Sequence, residues 1–194
     1  MRRTWVLAAL LFSEAAAADL ASDVAREQRF RSTAMVTLGG WAIGNIAVGL
    51  PMTGAVTTAT ERGFWQMNVY WNLVNVAIAG YGLWSARRLD RTMTTARDLE
   101  REQRSLEQFL WLNVGLDVAY LLAGWAFLER GARQSAPESA ARWTGFGRSL
   151  LVQGAFLLLF DGTLLALAPT TAEHVSLSVL PQQNGASALL RWRL

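Results

Sequence analysis

The stretch Ser149-Leu-Leu-Val-Gln-Gly-Ala-Phe-Leu-Leu-Leu-Phe-Asp-Gly-Thr-Leu-Leu-Ala-Leu-Ala168 decides the fold. From Arg148 to Glu173 the only charged side chain is Asp161, and Pro169 ends the run. A helix rises 1.5 Å per residue, so about 20 such residues cross a hydrocarbon core of ~30 Å. Working outward, three more windows have the same character. Between Arg31 and Glu61 no side chain is charged, and the apolar part runs from Ala34 to Leu50 before Pro51. Between Arg62 and Arg87 there is again no charge, with Phe64–Trp84 almost wholly apolar or aromatic. Between Glu107 and Glu129 the only charge is Asp117. A buried helix of a soluble bundle rarely reaches this length four times over. The expectation is therefore an all-α membrane protein with spans at 34–50, 64–85, 109–128 and 149–168. Trp65 and Trp84 bracket the second span, and Trp111 and Trp125 lie toward the two ends of the third, as interfacial tryptophans do.

Composition narrows the chemistry. The chain has 194 residues, 52% apolar and 17% charged, with a mean hydropathy of +0.20 that averages apolar stretches with strongly polar ones. It has no cysteine and one histidine, His174. Disulfides, thiolate metal sites, a bis-histidine haem, an H-E-x-x-H zinc site and most Ser-His triads are thereby excluded. All 18 basic residues are arginine, set against 15 acids for a net charge of +3. They are interleaved with Glu and Asp and form no basic stripe, so no nucleic-acid partner is expected.

The N-terminus reads as an export signal. Arg2 and Arg3 form a basic n-region, Thr4–Phe12 an apolar h-region too short to span, and Ala15–Ala18 a small-residue cleavage site. Residues 1–18 are expected to be a signal peptide cut after Ala17 or Ala18. The alternative is an uncleaved amphipathic helix. The transmembrane domain is then 19–168, and the expected location is the bacterial inner membrane, crossed several times.

The connections suggest two tandem helical hairpins. Pro51–Gly63 reads as a short polar turn, Arg87–Glu107 as a charged helical extension beyond the membrane, and Gly131–Gly147, with Pro137, as a looser loop. After Pro169, Val175, Leu177 and Val179 alternate with Ser176 and Ser178, and Asn184-Gly185 is a turn dipeptide. The tail 169–194 is read as a small β-hairpin or a disordered segment, since two strands alone are marginal. Arg26-Glu27-Gln28-Arg29 recurs as Arg101-Glu102-Gln103-Arg104, a shift of 75 that also carries Gly40 onto Gly115 and Gly49 onto Gly124. With 11 more residues in the second connection, Asn75 falls on Asp161. Such copies would be related by a pseudo-twofold axis along the membrane normal.

The stretches Leu38-Gly-Gly-Trp-Ala-Ile-Gly-Asn-Ile-Ala-Val-Gly49 and Gln66-Met-Asn-Val-Tyr-Trp-Asn-Leu-Val-Asn-Val-Ala-Ile-Ala-Gly80 resemble an uncharacterised family of small bacterial membrane proteins, a domain of unknown function. The resemblance covers the first hairpin well and the second loosely. It implies a signal peptide followed by four spans and carries no activity or assigned site.

The polar residues of the spans are the chemistry on offer. Asn45, Asn75, Asp117 and Asp161 each lie near the centre of one window. Asn68, Asn72 and Asn75 share a face of the second helix, Asn113, Asp117 and Tyr120 a face of the third, and Gln153 and Asp161 a face of the fourth. These faces are expected inside the bundle. No arginine within a span pairs with the aspartates, so each is protonated, holds a cation or is wetted by a cavity. Gly40-xxx-Gly44 has the small-residue spacing of a helix contact. Intramembrane aspartyl proteases also use two aspartates, but Gly115-Leu116-Asp117 and Phe160-Asp161 lack the Gly-x-Gly-Asp and Tyr-Asp patterns. No catalytic residue, metal or cofactor is expected. The favoured role is a non-enzymatic structural or assembly factor whose Asn/Asp seam sets helix register, with lipid around it and a protein partner or second copy beside it. The alternative is a small transporter, channel or ligand-binding protein using the midplane Asn/Asp site.

Cleavage of the signal puts both mature termini and Arg87–Glu107 outside, with 11 arginines outside and 5 inside. That opposes the positive-inside rule; an uncleaved N-terminus gives 13 inside and 5 outside, which obeys it. The alanine-rich site favours cleavage. An export-dependent reporter fused at Ala96 should then be active and one at Ala136 silent. The reverse pattern would overturn the orientation.

Overall fold

A computed structural model describes residues 2–169, 176–182 and 185–191. Helix α1 (Arg2–Ala55) is followed by α2 (Ala59–Ala86), the single turn α3 (Leu89–Thr92), α4 (Ala96–Ala132) and α5 (Pro137–Leu167). Two strands follow, β1 (Ser176–Gln182) and β2 (Gly185–Arg191), paired antiparallel with Ser176 opposite Arg191. The segment read as an export signal is the first part of α1, which runs on past Ala18.

Each helix start has a local cause. The Thr58 hydroxyl caps α2, accepting from the Glu61 backbone N–H at 3.2 Å and donating to its carboxylate at 2.7 Å. Thr95 and Asp98 form a reciprocal capping box at the start of α4, in its charged part ahead of the span. The Thr95 hydroxyl, aided by that of Thr94, holds the Asp98 carboxyl below its ordinary value of 3.8. This cap is therefore complete at neutral pH and is lost only as the pH falls through that lowered value. Pro137 opens α5 at a position where its missing N–H is not needed.

The helices are longer than their apolar windows, which corrects two expected boundaries. Pro51 lies inside α1, and the helix continues to Ala55. A proline four residues from a helix end lacks one backbone donor but leaves only one turn to disrupt. The loop expected over 131–147 shrinks to 133–136, because Ser139-Ala-Ala-Arg-Trp143 is helical. The Arg130 guanidinium sits 4.4 Å from the Trp143 ring centre, and Phe127 meets that ring edge-on, which ties the new turns of α5 to α4. The charged residues 19–31 and the segment from Ala96 are continuous, within α1 and α4, with the apolar stretches that follow them. α2, in contrast, stops at Ala86.

Three helices, Asp19–Ala55, Ala96–Ala132 and Pro137–Leu167, are long and apolar enough to cross a membrane. α2 falls short of them in hydropathy, because Asn68, Asn72, Asn75 and its tryptophans and tyrosines offset its aliphatic residues.

α1 packs on α2, α2 on α5 and α5 on α4. Close glycine contacts fix two of these pairings. A Cβ on Gly147 would lie 2.7 Å from the Gly124 carbonyl oxygen and 2.9 Å from the Leu128 nitrogen, so α4 and α5 touch backbone to backbone. Gly63 of α2 and Gly145 of α5 do the same: a Cβ on Gly63 would lie 3.0 Å from the Arg142 carbonyl oxygen, and one on Gly145 2.6 Å from the Phe64 nitrogen. The expected contact at Gly40 and Gly44 is not formed. Both glycines face outward, with nothing within 4 Å of a Cβ at either. The contact face of α1 carries Ala34, Leu38 and Ala42, all buried. Gly40, two residues past Leu38, is turned by about 200° from it on a helix of 3.6 residues per turn.

Substituting Gly147 with valine should therefore cost roughly 1–3 kcal/mol and lower the melting temperature in detergent. Gly44→Val should stay within about 0.5 kcal/mol of the parent. Equal damage at both positions would contradict this packing.

Candidate functional site: a cavity between the two hairpins

Polar side chains lie inside the bundle and many large apolar ones outside. Asn68, Asn72, Asn75, Asp117, Ser149, Gln153 and Asp161 are buried, whereas Val36, Ile43, Leu73, Ile78, Leu112, Leu122 and Leu159 are exposed. The sequence-predicted polar residues fall into two groups rather than one girdle.

The first group is a hydrogen-bonded ladder. The Asn45 amide donates to the Trp41 carbonyl at 2.9 Å, and Asn68 donates to the Asn45 side-chain oxygen at 2.9 Å. Asn72 donates to the Asn68 carbonyl at 2.8 Å, and Asn75 reaches the Asn72 side-chain oxygen at 3.5 Å. Trp41 Nε1 donates to Gln153 Oε1 at 3.1 Å, and the Trp41 ring stacks on Phe156 at 3.9 Å. Asn45, Asn68, Asn72 and Gln153 thus link α1 to α2 and α5, and only Asn75 of this ladder also reaches the cavity.

The second group surrounds a cavity of about 270 Å³. Asn75, Asn113, Asp117, Tyr120 and Asp161 all line it, from α2, α4 and α5. Asp117 and Asp161 line the same cavity, close enough for their carboxyl groups to influence each other. Asp117 Oδ2 is buried and has no hydrogen-bond partner among the described residues, and the same holds for Trp71 Nε1 on the cavity wall. The rest of the wall is apolar, with Leu38, Leu157 and Phe160 buried or half-buried, and the cavity opens at the bundle's exterior, where its lining residues Val74, Ile78, Tyr81 and Phe109 are exposed. Trp71 meets Tyr120 edge-on at 4.6 Å, closing the cavity toward the ladder.

The cavity's other end is bounded by a polar cluster that the spacing did not predict. Arg31 lines the cavity and donates to Glu27 and Glu102, each at 2.7 Å, and to the Glu102 carbonyl at 3.2 Å. Gln103 donates to the fully buried Glu27 at 3.3 Å. The two copies of Arg-Glu-Gln-Arg therefore meet across α1 and α4. Their repetition on two helices running in the same direction was the signal for this meeting. The half-buried Trp41 and Trp71 and the fully buried Ser149 gave no comparable signal, since each reads as an ordinary apolar or small residue.

Residues 37–162 match the model of a family of unknown function, DUF6992. The chain belongs to that family. No curated protein and no solved structure matches it. The part of this DUF6992 chain covered by the match contains the acid pair, Trp71 and the ladder, while Glu27 and Arg31 precede it.

Because the fully buried Glu27 accepts from both Arg31 and Gln103, Glu27→Ala strands the buried Gln103 amide, takes one of the half-buried Arg31's partners and should cost about 1–3 kcal/mol. Asp23→Ala breaks an exposed pair with Arg26 and should cost under about 1 kcal/mol. Equal melting temperatures for the two variants would deny the cluster a structural role.

Proposed function

We propose that this is a four-span, non-enzymatic protein of the bacterial inner membrane that binds a small molecule in the cavity between its hairpins. The observation that carries the proposal is the contrast between the two polar groups. A seam that only sets helix register pairs its donors with acceptors, as most of the Asn ladder does. Asn68 Oδ1 and Gln153 Nε2 of the ladder are also buried without a partner among the described residues, but neither residue lines the cavity, so no ligand there can reach them. Asp117 Oδ2 and Trp71 Nε1 instead end, unpaired, at a cavity. A buried polar group without a partner costs about 1–3 kcal/mol, a cost that a bound ligand offsets. Weight thus moves from a purely structural factor to a binding protein, with the ladder keeping the structural part.

The fourth span is α2. Its 28 residues reach ~42 Å, it packs along α1, and it carries no charge between Arg62 and its end at Ala86. Tyr70, Leu73, Val74 and Ile78 are exposed on it, which suits lipid and not water. The turn 56–58 also leaves α2 no path except back alongside α1. The two hairpins are read as tandem copies. In support, Gly40 and Gly115 both face open space, Gly49 and Gly124 both lie at the contact within their own hairpin, and Asn75 and Asp161 both line the cavity.

Dicyclohexylcarbodiimide enters bilayers and modifies protonated carboxyl groups. Applied to the protein in membranes, it should add one adduct per chain at Asp117 or Asp161, and Ala34→Phe, which fills the cavity, should suppress the adduct severalfold. Unmodified aspartates in a folded chain would return the protein to the structural class.

A further inference from the structure

We propose that the cavity takes a lipophilic primary amine, its ammonium held between Asp117 and Asp161 and its apolar body against the surrounding walls. The inference deepens the proposal of a binding cavity and rests on it.

Charge points to a cation. Carboxyl groups are acceptors once ionised, and two of them line this cavity, one with a buried oxygen that receives no donor from the described residues. An ammonium brings three N–H donors and the opposite charge, so it serves both carboxyl groups at once, while the Trp71 N–H needs an acceptor from elsewhere in the ligand or the wall. An anionic ligand would find the reverse. Among the described residues Arg31 is the one cation on the wall, and its guanidinium is already bonded to Glu27, the Glu102 carboxylate and the Glu102 carbonyl. The aromatic residues Trp71, Tyr120 and Phe160 line the same cavity, and an aromatic face attracts a cation.

The rest of the cavity selects an organic cation over a metal ion. No group of three or more acidic or histidine side chains forms a metal site among the described residues. A hard divalent ion wants six or more oxygens and would have to strip water to enter walls built from Leu38, Ile78 and Leu157. A volume of about 270 Å³ lies just below the ~300 Å³ at which drug-sized sites begin, so the ligand is compact. Depth distinguishes a free amine from a lipid headgroup. Asp117 lies between Trp111 and Trp125, about 9 Å and 12 Å from them along the helix, whereas a headgroup ammonium stays at the interface.

Three probes share one apolar body and differ in head: 1-adamantylamine, 1-adamantanol and adamantane-1-carboxylate. Melting of the full chain in phosphatidylglycerol nanodiscs at neutral pH should shift upward, saturably and by about 5 °C or more, with the amine. The alcohol should give a smaller shift and the carboxylate none. Asp117→Asn and Asp161→Asn should each weaken the amine about tenfold and leave the alcohol unchanged. The parent protein alone decides the matter if either variant fails to fold. An alcohol or carboxylate that binds as well as the amine would overturn the amine and leave the cavity standing. No shift with any probe would overturn the binding cavity itself. Loss of the amine shift when phosphatidylethanolamine replaces phosphatidylglycerol would overturn the assignment to a free amine, since the lipid's own ammonium would then hold the site.

Discussion

The close approach of α2 to α5, where Gly63 faces Gly145, is the contact on which the bundle depends. These helices belong to different hairpins and run in the same direction, so their contact is what joins the two halves. No side chain fits between their backbones at that point. The contact closes the bundle at the start of both helices. Toward their ends, at Ile78 and Leu164, the helices become walls of the cavity instead. α1 and α4 flank that space and are tied at its far end through Arg31, Glu27, Glu102 and Gln103. A backbone contact at one end and a polar latch at the other leave the cavity between them.

Hydrocarbon as solvent explains which side chains point where. A lipid chain offers no hydrogen bond, so asparagines and aspartates turn inward, and exposed Leu, Ile and Val cost nothing outside. This inversion of the soluble pattern is visible on every long helix. It also explains the ordering of the ladder. Asn68, Asn72 and Asn75 lie one turn apart on α2, and an amide both donates and accepts, so a row of them can pass hydrogen bonds along the helix. Carboxylates cannot form such a row, and the acid pair accordingly sits at a cavity.

The same constraint decides how much could be read from residue order. Charge-free windows located the helices, since a charged residue in hydrocarbon is expensive and its absence over 20 positions is conspicuous. Periodicity placed Asn113, Asp117 and Tyr120 on one face, and that face is the cavity wall. Helix ends were less legible, because charged residues such as Glu138 and Arg142 leave the membrane without ending the helix. The contact face of α1 was not legible from Gly40 and Gly44. Glycine spacing says that two backbones could approach, but the partner's position is set by Ala34, Leu38 and Ala42, whose small and aliphatic side chains look unremarkable. Three closely spaced glycines on α5, Gly145, Gly147 and Gly154, carry the actual contacts.

A final step concerns the asymmetry of the two hairpins. Where the first contributes Asn75 to the cavity, the second contributes Asp161 and, on α4, Asp117. The two sides of the cavity are therefore chemically different: one presents an amide that is already part of a ladder, the other a pair of acids that is not. Two amide walls would leave nothing for a ligand to neutralise, and two acidic walls would gather charge without an adjacent donor. With one of each, the first hairpin supplies a rigid, internally bonded surface against which the acids of the second are held.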